Sequence, residues 1–292
     1  VRDGLRNALC KRFKRRYRLS FDVLLIVEHN AGKIRASSQT GIVPVLLYHS
    51  VNDSPAPEIA DFAIDPRAFR EHVEIVAGSG REPVTLGELA RRLGSEGPET
   101  AENLVCVTFD DGWRDNLAAA ETLAEHEVPA TIYVTSGYVG NPNMVSEPEL
   151  SQLAASPGIE IGAHSVTHPH LDELSVDDAR REIVDSRFAI EQSIGRGVDT
   201  FAYPHGAYDR HVRQVVEDAG FTSAAAVKNA LSHTDDDLFA IARWTVTSAS
   251  TSDEIRSVIA GDGAPLAWRN ERLRTKGFRA YRRLRHRAGR ST

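Results

Sequence analysis

Seven short apolar runs, at residues 43–49, 104–109, 130–135, 159–163, 200–203, 222–227 and 241–246, constrain this chain more than any other feature. Helical patterns fall between them. Pro66–Ala77 places Phe69, Val73 and Val76 on one face, with Asp65 as N-cap and Pro66 at the first helical position. Further helices are predicted at 85–93, 114–127, Glu147–Ala155 and 209–219. A long one begins at Ser175, where Asp178 three residues on gives a capping-box relative, and it carries Val176, Ala179, Ile183, Ile190 and Ile194 as one stripe. Strands alternating with helices predict parallel βαβ units, hence an α/β fold closed into a barrel or opened into a large sheet.

The residues able to do chemistry fall at the C-terminal ends of these runs, the face on which α/β barrels build their sites. His49 ends the first run. Asp110-Asp111-Gly112 follows Thr108-Phe109, and His164-Ser165-Val166-Thr167-His168 follows the fourth run. Each motif has an ordinary reading: an aspartate at a helix start is commonly a cap, and a single histidine is commonly structural. Together, one carboxylate and two imidazoles make a metal site with open positions, and a spare carboxylate beside it is a candidate base for metal-assisted hydrolysis. The same ligand set occurs in non-haem Fe(II) oxygenases, but their His-x-Asp/Glu pattern and β-rich scaffold are absent here. Ser165 lacks a Gly-x-Ser-x-Gly setting and is read as a local brace for the ligand loop, not a nucleophile.

In order and spacing, Thr108-Phe109-Asp110-Asp111-Gly112, the His164 to His168 segment and Phe201-Ala202-Tyr203-Pro204-His205-Gly206 resemble the first three motifs of the polysaccharide deacetylases (carbohydrate esterase family 4, the NodB-homology domain). The run ending at His49, with Ser50-Val51, resembles the N-terminal motif of the poly-N-acetylglucosamine deacetylase-like subgroup, in which the general-acid motif is moved to the front. The resemblance covers roughly residues 42–250. It implies a deformed (β/α) barrel of seven strands. It also implies a metal-dependent hydrolase that removes acetyl groups from N-acetylated sugar units of a glycan or glycan precursor. On this resemblance Asp110 is the catalytic base, His49 the general acid, and Asp111, His164 and His168 the metal ligands. Tyr203, Pro204 and His205 form the oxyanion and substrate site, with the Tyr203 backbone N–H facing the oxyanion. The implied cofactor is a divalent metal, zinc first, with Co2+, Ni2+ or Mn2+ also compatible with the donors.

Two departures from the family pattern stand out. Many relatives carry an arginine in the third motif that orients the base, but Phe201-Ala202 offers none. Arg243 is the candidate substitute, with an ordinary surface ion pair as the competing reading. His205 stands where relatives usually have an aromatic residue. Trp244 departs from the Asp-Trp pair that orients the acid in some relatives, so the sequence assigns no partner to His49. The same machinery would serve an O-acetyl esterase or another amide hydrolase. A non-catalytic glycan-binding barrel would be expected to lack the base or the acid, and both Asp110 and His49 are present.

Charge decides which partners to expect. Of 35 Lys/Arg and 41 Asp/Glu, residues 1–18 hold eight bases and one acid and residues 269–292 ten bases and one acid, leaving a formal −22 between them. An acidic globule does not favour nucleic acid, whereas basic tails suit an anionic membrane surface. No stretch reaches the eighteen or so apolar residues of a membrane span. Neither a long apolar stretch nor a small-residue cleavage site follows the basic start. The expectation is a cytoplasmic protein in peripheral contact with anionic membrane. It divides into a basic lead-in without fixed structure (1–41), a catalytic domain (42–262) and a basic helical tail (263–292). The two cysteines, Cys10 and Cys106, do not make a disulfide framework, and Cys106 reads as a free buried thiol.

Overall fold

The computed structural model describes residues 41–95, 97 and 101–268. The expectations for the lead-in before residue 41 and for the tail beyond Trp268, including membrane contact, lie outside the described residues. The chain enters through β1 (Ile42–Val43), β2 (Val45–Tyr48) and β3 (Ser50–Val51), followed by β4 (Ala63–Ile64), α1 (Pro66–Ala77), β5 (Glu82–Val84) and α2 (Leu86–Ser95). Then come β6 (Leu104–Phe109), α3 (Asn116–Glu125), β7 (Ala130–Val134), α4 (Glu147–Ala155), β8 (Ile159–Ala163) and α5 (Val176–Ile194). The remainder is β9 (Thr200–Ala202), α6 (Arg210–Asp218), β10 (Ser223–Val227), β11 (Ser232–His233), β12 (Ile241–Thr245) and α7 (Ser252–Ile259).

The seven apolar runs are seven parallel strands, in the order β2-β12-β10-β9-β8-β7-β6, and β2 pairs with β6 to close the ring. Leu46 marks the seam, opposite Trp244 on one side and Val107 on the other. This is the expected deformed (β/α) barrel. β5 stands outside the ring along the lower half of β6, where Cys106 has Val45 on one side and Val84 on the other.

Successive strand residues face opposite sides, so each barrel strand serves two cores. Val105, Val107, Phe109, Ile132 and Val134 pack outward against Ala119, Leu123, Leu150 and Ile183 of the helices. Cys106, Tyr133, Ala202, Ala225 and Ile241 form the inner cluster, together with Leu86, Leu89 and Ala90 of α2. Helix α2 therefore closes the lower end of the barrel. Its first N–H groups, which no helical carbonyl can accept, go to the Thr131 hydroxyl (2.8 Å) and the Glu160 carboxylate (3.0 Å). Arg81 laces the same end together, donating to the carbonyls of Ile259, Ile42, Glu102 and Leu104 at 2.7–3.2 Å. Gly162 is required inside the barrel: a Cβ there would lie 2.4 Å from the Tyr133 ring.

Several sequence expectations need correction. On α5, Ala179, Ile183 and Ile190 are buried together with Ser186, but Val176 is 51% exposed, as are Val184 (39%) and Phe188 (62%). Helix α3 begins at Asn116, two residues later than expected, because the turn before it is used elsewhere. The first run, 43–49, is split at Pro44 into β1 and β2, and the short strands β3, β4, β5 and β11 have no counterpart in the sequence pattern, because two or three residues carry no readable period. Helix α7 was missed although Thr251 and Glu254 form a capping box. Packing also continues past residue 262: Ala267 is buried and donates from its N–H to Leu231, and Leu266 bridges Leu231. Cys106 is free and buried. Among the described residues no helix is long and apolar enough to cross a membrane.

Candidate active site

Strand period brings Thr108 and Asp110 to the inner face above Cys106, and places Arg243 inward on β12. Arg243 is wholly buried. Its Nη1 and Nη2 donate to the two oxygens of Asp110 at 2.6 and 2.8 Å, a bidentate pair. Nη1 also donates to the Thr108 hydroxyl (3.3 Å), and the guanidinium lies 5.4 Å from the Tyr133 ring centroid. The competing expectation, a surface ion pair, is thus excluded. Burial alone would raise the Asp110 carboxyl, but the charge and hydrogen bonds of the Arg243 guanidinium beside it outweigh burial and hold it down at about 2.

Asp111 turns away from Arg243 toward two imidazoles. Asp111, His164 and His168 each offer one ligand atom, all within 4.8 Å of one another. His168 Nε2 is 3.3 Å from Asp111 Oδ1, and His164 Nε2 is 3.7 Å from both that oxygen and Asp110 Oδ2. His164 Nδ1 faces the Ala202 carbonyl at 2.8 Å. A carbonyl only accepts, so Nδ1 carries the hydrogen and Nε2 keeps its lone pair for a ligand. Burial pushes His164 down to about 4 despite the neighbouring carboxylates, which keeps the ring neutral as a ligand must be. One carboxylate oxygen and two imidazole nitrogens fit a divalent metal of the zinc type.

Further groups hold these ligands, and of them only Ser165 is expected from the sequence. The Trp113 indole N–H donates to Asp111 Oδ2 at 3.1 Å, leaving Oδ1 for the histidines. The Glu182 carboxylate on α5 accepts from the N–H of Val166 (2.9 Å), the N–H of Thr167 (2.8 Å) and the Thr167 hydroxyl (2.7 Å). The Ser165 hydroxyl accepts from the His168 N–H at 3.0 Å, the expected local brace. Seven non-glycine residues among those described have positive φ, and Asp111, Ser165, His168 and His205 are four of them. Such strain concentrates where a site is fixed by its surroundings. Trp113 had a readable signal, its place beside the Asp pair; Glu182 had none, being brought in only by the packing of α5.

His49 lies at the top of β2, its ring 5.1 Å from that of Phe62. Burial lowers its pKa, opposed by the nearby charges of Asp111 and Asp110. The third motif is arranged differently from expectation. Tyr203 and Pro204 are buried, and the Tyr203 N–H expected to face an oxyanion donates to the Ala225 carbonyl at 3.1 Å. Only His205 of the three is exposed. Its ring lies 4.3 Å from His168 and stacks on His170 at 4.1 Å.

A closed seven-stranded parallel barrel with its acids and imidazoles on the C-terminal rim is a deformed (β/α) barrel of the NodB type. Residues 97–224 match the polysaccharide deacetylase family profile. YxkH of Bacillus subtilis, which carries that family's name, is 23% identical over 206 residues, covering 70% of this chain and 71% of its own. Over residues 97–224 the chain is thus similar to the polysaccharide deacetylases in sequence. A chitooligosaccharide deacetylase of Sinorhizobium fredii is 29% identical over 122 residues, 41% of this chain; the chain spans only about half (54%) of that relative's length. In fold, the chain is similar to the Streptococcus pyogenes deacetylase PplD in complex with acetate (TM-score 0.68, 21% identity, 76% of this chain and 99% of that one). It is also similar to IcaB from Ammonifex degensii (TM-score 0.63, 22% identity, 76% and 97%).

Proposed function

We propose that the chain is a metal-dependent deacetylase that releases acetate from N-acetylated sugar units of a glycan or glycan precursor. The observation that carries this reading is the division between two adjacent carboxylates: Asp111 joins His164 and His168, while Asp110 is held apart by Arg243. The relatives named for chitooligosaccharides support an N-acetylated oligosaccharide substrate.

Asp111, His164 and His168 would hold the metal, zinc being the best match to the donor set. When bound, the cation supplies Lewis acidity toward the acetyl carbonyl and the attacking water. Asp110 takes the proton from that water. Arg243 keeps Asp110 ionised and fixes its direction; a carboxylate held so low accepts a proton only from an acidified donor, which ties the base to the adjacent ligand set. His49 protonates the departing nitrogen, since an amine is a poor leaving group until it carries that proton. His205, exposed at the rim, would contact the sugar. The Tyr203 N–H is given no part, because the sheet already uses it.

The test is metal analysis of the purified protein with acetate release measured on N-acetylglucosamine oligomers and on O-acetyl sugars. Release from the N-acetyl oligomers, lost with chelator and restored by zinc, is expected. Release only from O-acetyl sugars would replace the amidase reading with an esterase one. No acetate from either, at full metal content, would overturn both.

A further inference from the structure

We propose that Asp115 and Asn116 are positioning residues for the proton donor, so that the turn following Asp110-Asp111 sets both sides of the reaction. The inference rests on the reading of His49 as the acid. Asp115 stands at the N-cap of α3, where an aspartate ordinarily accepts an N–H of the first helical turn. Its side chain makes no such bond. It is turned instead to the segment after β2, accepting from the Ser50 hydroxyl at 2.6 Å and from the Val51 N–H at 3.1 Å. Asn116 is fully buried and donates from Nδ2 to the His49 carbonyl at 2.9 Å, and more weakly to Asp115 Oδ1 at 3.3 Å. From the other side, the Asp110 N–H donates to the Tyr48 carbonyl at 3.0 Å.

The backbone from 48 to 51 is therefore hung on residues of the same seven-residue turn that carries the proposed base and one ligand. The His49 ring has no comparable anchor. Its Nδ1 is buried and finds no hydrogen-bond partner among the described residues. The ring rests on Phe62, which is tied to this segment by the β3–β4 pair and by the Asn52 N–H donating to Ile64 at 2.9 Å. With no carboxylate on its ring, His49 is aimed by backbone placement and packing, and the backbone is where Asp115 and Asn116 act. That accounts for a capping residue that does not cap and for a buried amide at the first helical position.

The experiment compares kcat for an N-acetylglucosamine oligomer with kcat for an activated acetyl ester, whose leaving group needs no proton. The variants are Asp115→Asn, Asn116→Ala, Ser50→Ala and His49→Ala, with the first three also made in the His49→Ala background. Misaiming a proton donor is expected to lower the amide rate on the order of 10- to 100-fold while leaving the ester rate and metal content unchanged. Each loss should vanish once His49 is absent, because residues acting through one group do not add. Ser50→Ala removes the shortest contact from the opposite side and serves if Asn116→Ala does not fold. If His49→Ala lowers amide and ester rates equally, the acid assignment fails. If His49→Ala is selective for the amide but the other variants are not, or if their losses persist without His49, the positioning role is overturned.

Discussion

Arg243 grips both carboxylate oxygens of Asp110, at 2.6 and 2.8 Å, across the barrel and from 133 positions away in the chain. A planar guanidinium matches two parallel acceptors; an ammonium reaches them only as a point charge. Arg243→Lys is therefore expected to lower kcat about 10-fold or more while metal content is kept. The pH profile gives a second reading. Asp110 works ionised, and its carboxyl is held at about 2, so it does not limit the native rate on mild acidification. A looser partner lets that carboxyl rise, the protonated fraction grows as pH falls, and the acid limb of kcat/KM moves to higher pH. An unmoved acid limb would show that Arg243 does not tune Asp110.

Asp110→Asn and His168→Ala should separate the two carboxylate roles. The first is expected to keep the metal and lose turnover by about 100-fold, the scale of a positioned base. The second removes a ligand and is expected to lose the metal. Metal analysis of both proteins decides, and full stoichiometry in His168→Ala would remove it from the site.

Trp113→Phe keeps an aromatic ring at the position but deletes the indole N–H that faces Asp111 Oδ2. With that oxygen released, the carboxylate can rotate. Metal affinity should weaken about 10- to 100-fold, the usual effect of losing a group that orients a ligand. Competition against a zinc chelator measures it, and unchanged affinity would confine Trp113 to packing.

Glu182→Ala removes three hydrogen bonds from the loop between His164 and His168, in which Ser165 (φ 63°) and His168 (φ 58°) are in the left-handed region. Each such residue costs about 1–3 kcal/mol and needs its surroundings to hold it. The loop is expected to relax, with lower zinc affinity and faster zinc release in the same chelator assay. Glu182→Gln, whose one carboxamide oxygen can still accept from both N–H groups but which loses the charge and the acceptor for the Thr167 hydroxyl, should fall between.

Gly162→Ala tests the interior. The added Cβ would lie 2.4 Å from the Tyr133 ring and 2.8 Å from the Thr200 hydroxyl. Overpacking of this kind costs about 1–3 kcal/mol, and thermal melting should show it. An unshifted Tm would mean that the barrel has room to move Tyr133.

The sequence made the barrel legible because each of its seven strands is an apolar run ended by a helical spacer. It also brought out Asp110, Asp111, His164 and His168, since paired acids and His-x-x-x-His carry their pattern locally. Arg243 could be nominated but not placed: in a strand buried on both faces nothing distinguishes the inward side, and only ring closure turns Arg243 onto Asp110. Glu182 and the Asp115–Ser50 contact join segments 15 and 65 residues apart or through helix packing, and no local spacing encodes them. The Tyr203 N–H went the other way: its motif suggested a free donor, and the register of β9 against β10 uses it.

The position of β2 between β6 and β12 has a consequence for how the chain is made. β2 is the first barrel strand to leave the ribosome and β12 the last, so the sheet stays open along that seam through most of synthesis. Both edges are bare until β12 arrives, a state prone to wrong pairing. Arg243 travels on that last strand. In every shorter nascent chain Asp110 lacks its counter-ion, and the contact that closes the cylinder is the one that neutralises it. A truncated product therefore cannot hold a formed site in an unfinished barrel: completion of the fold and readiness of the carboxylate are one event.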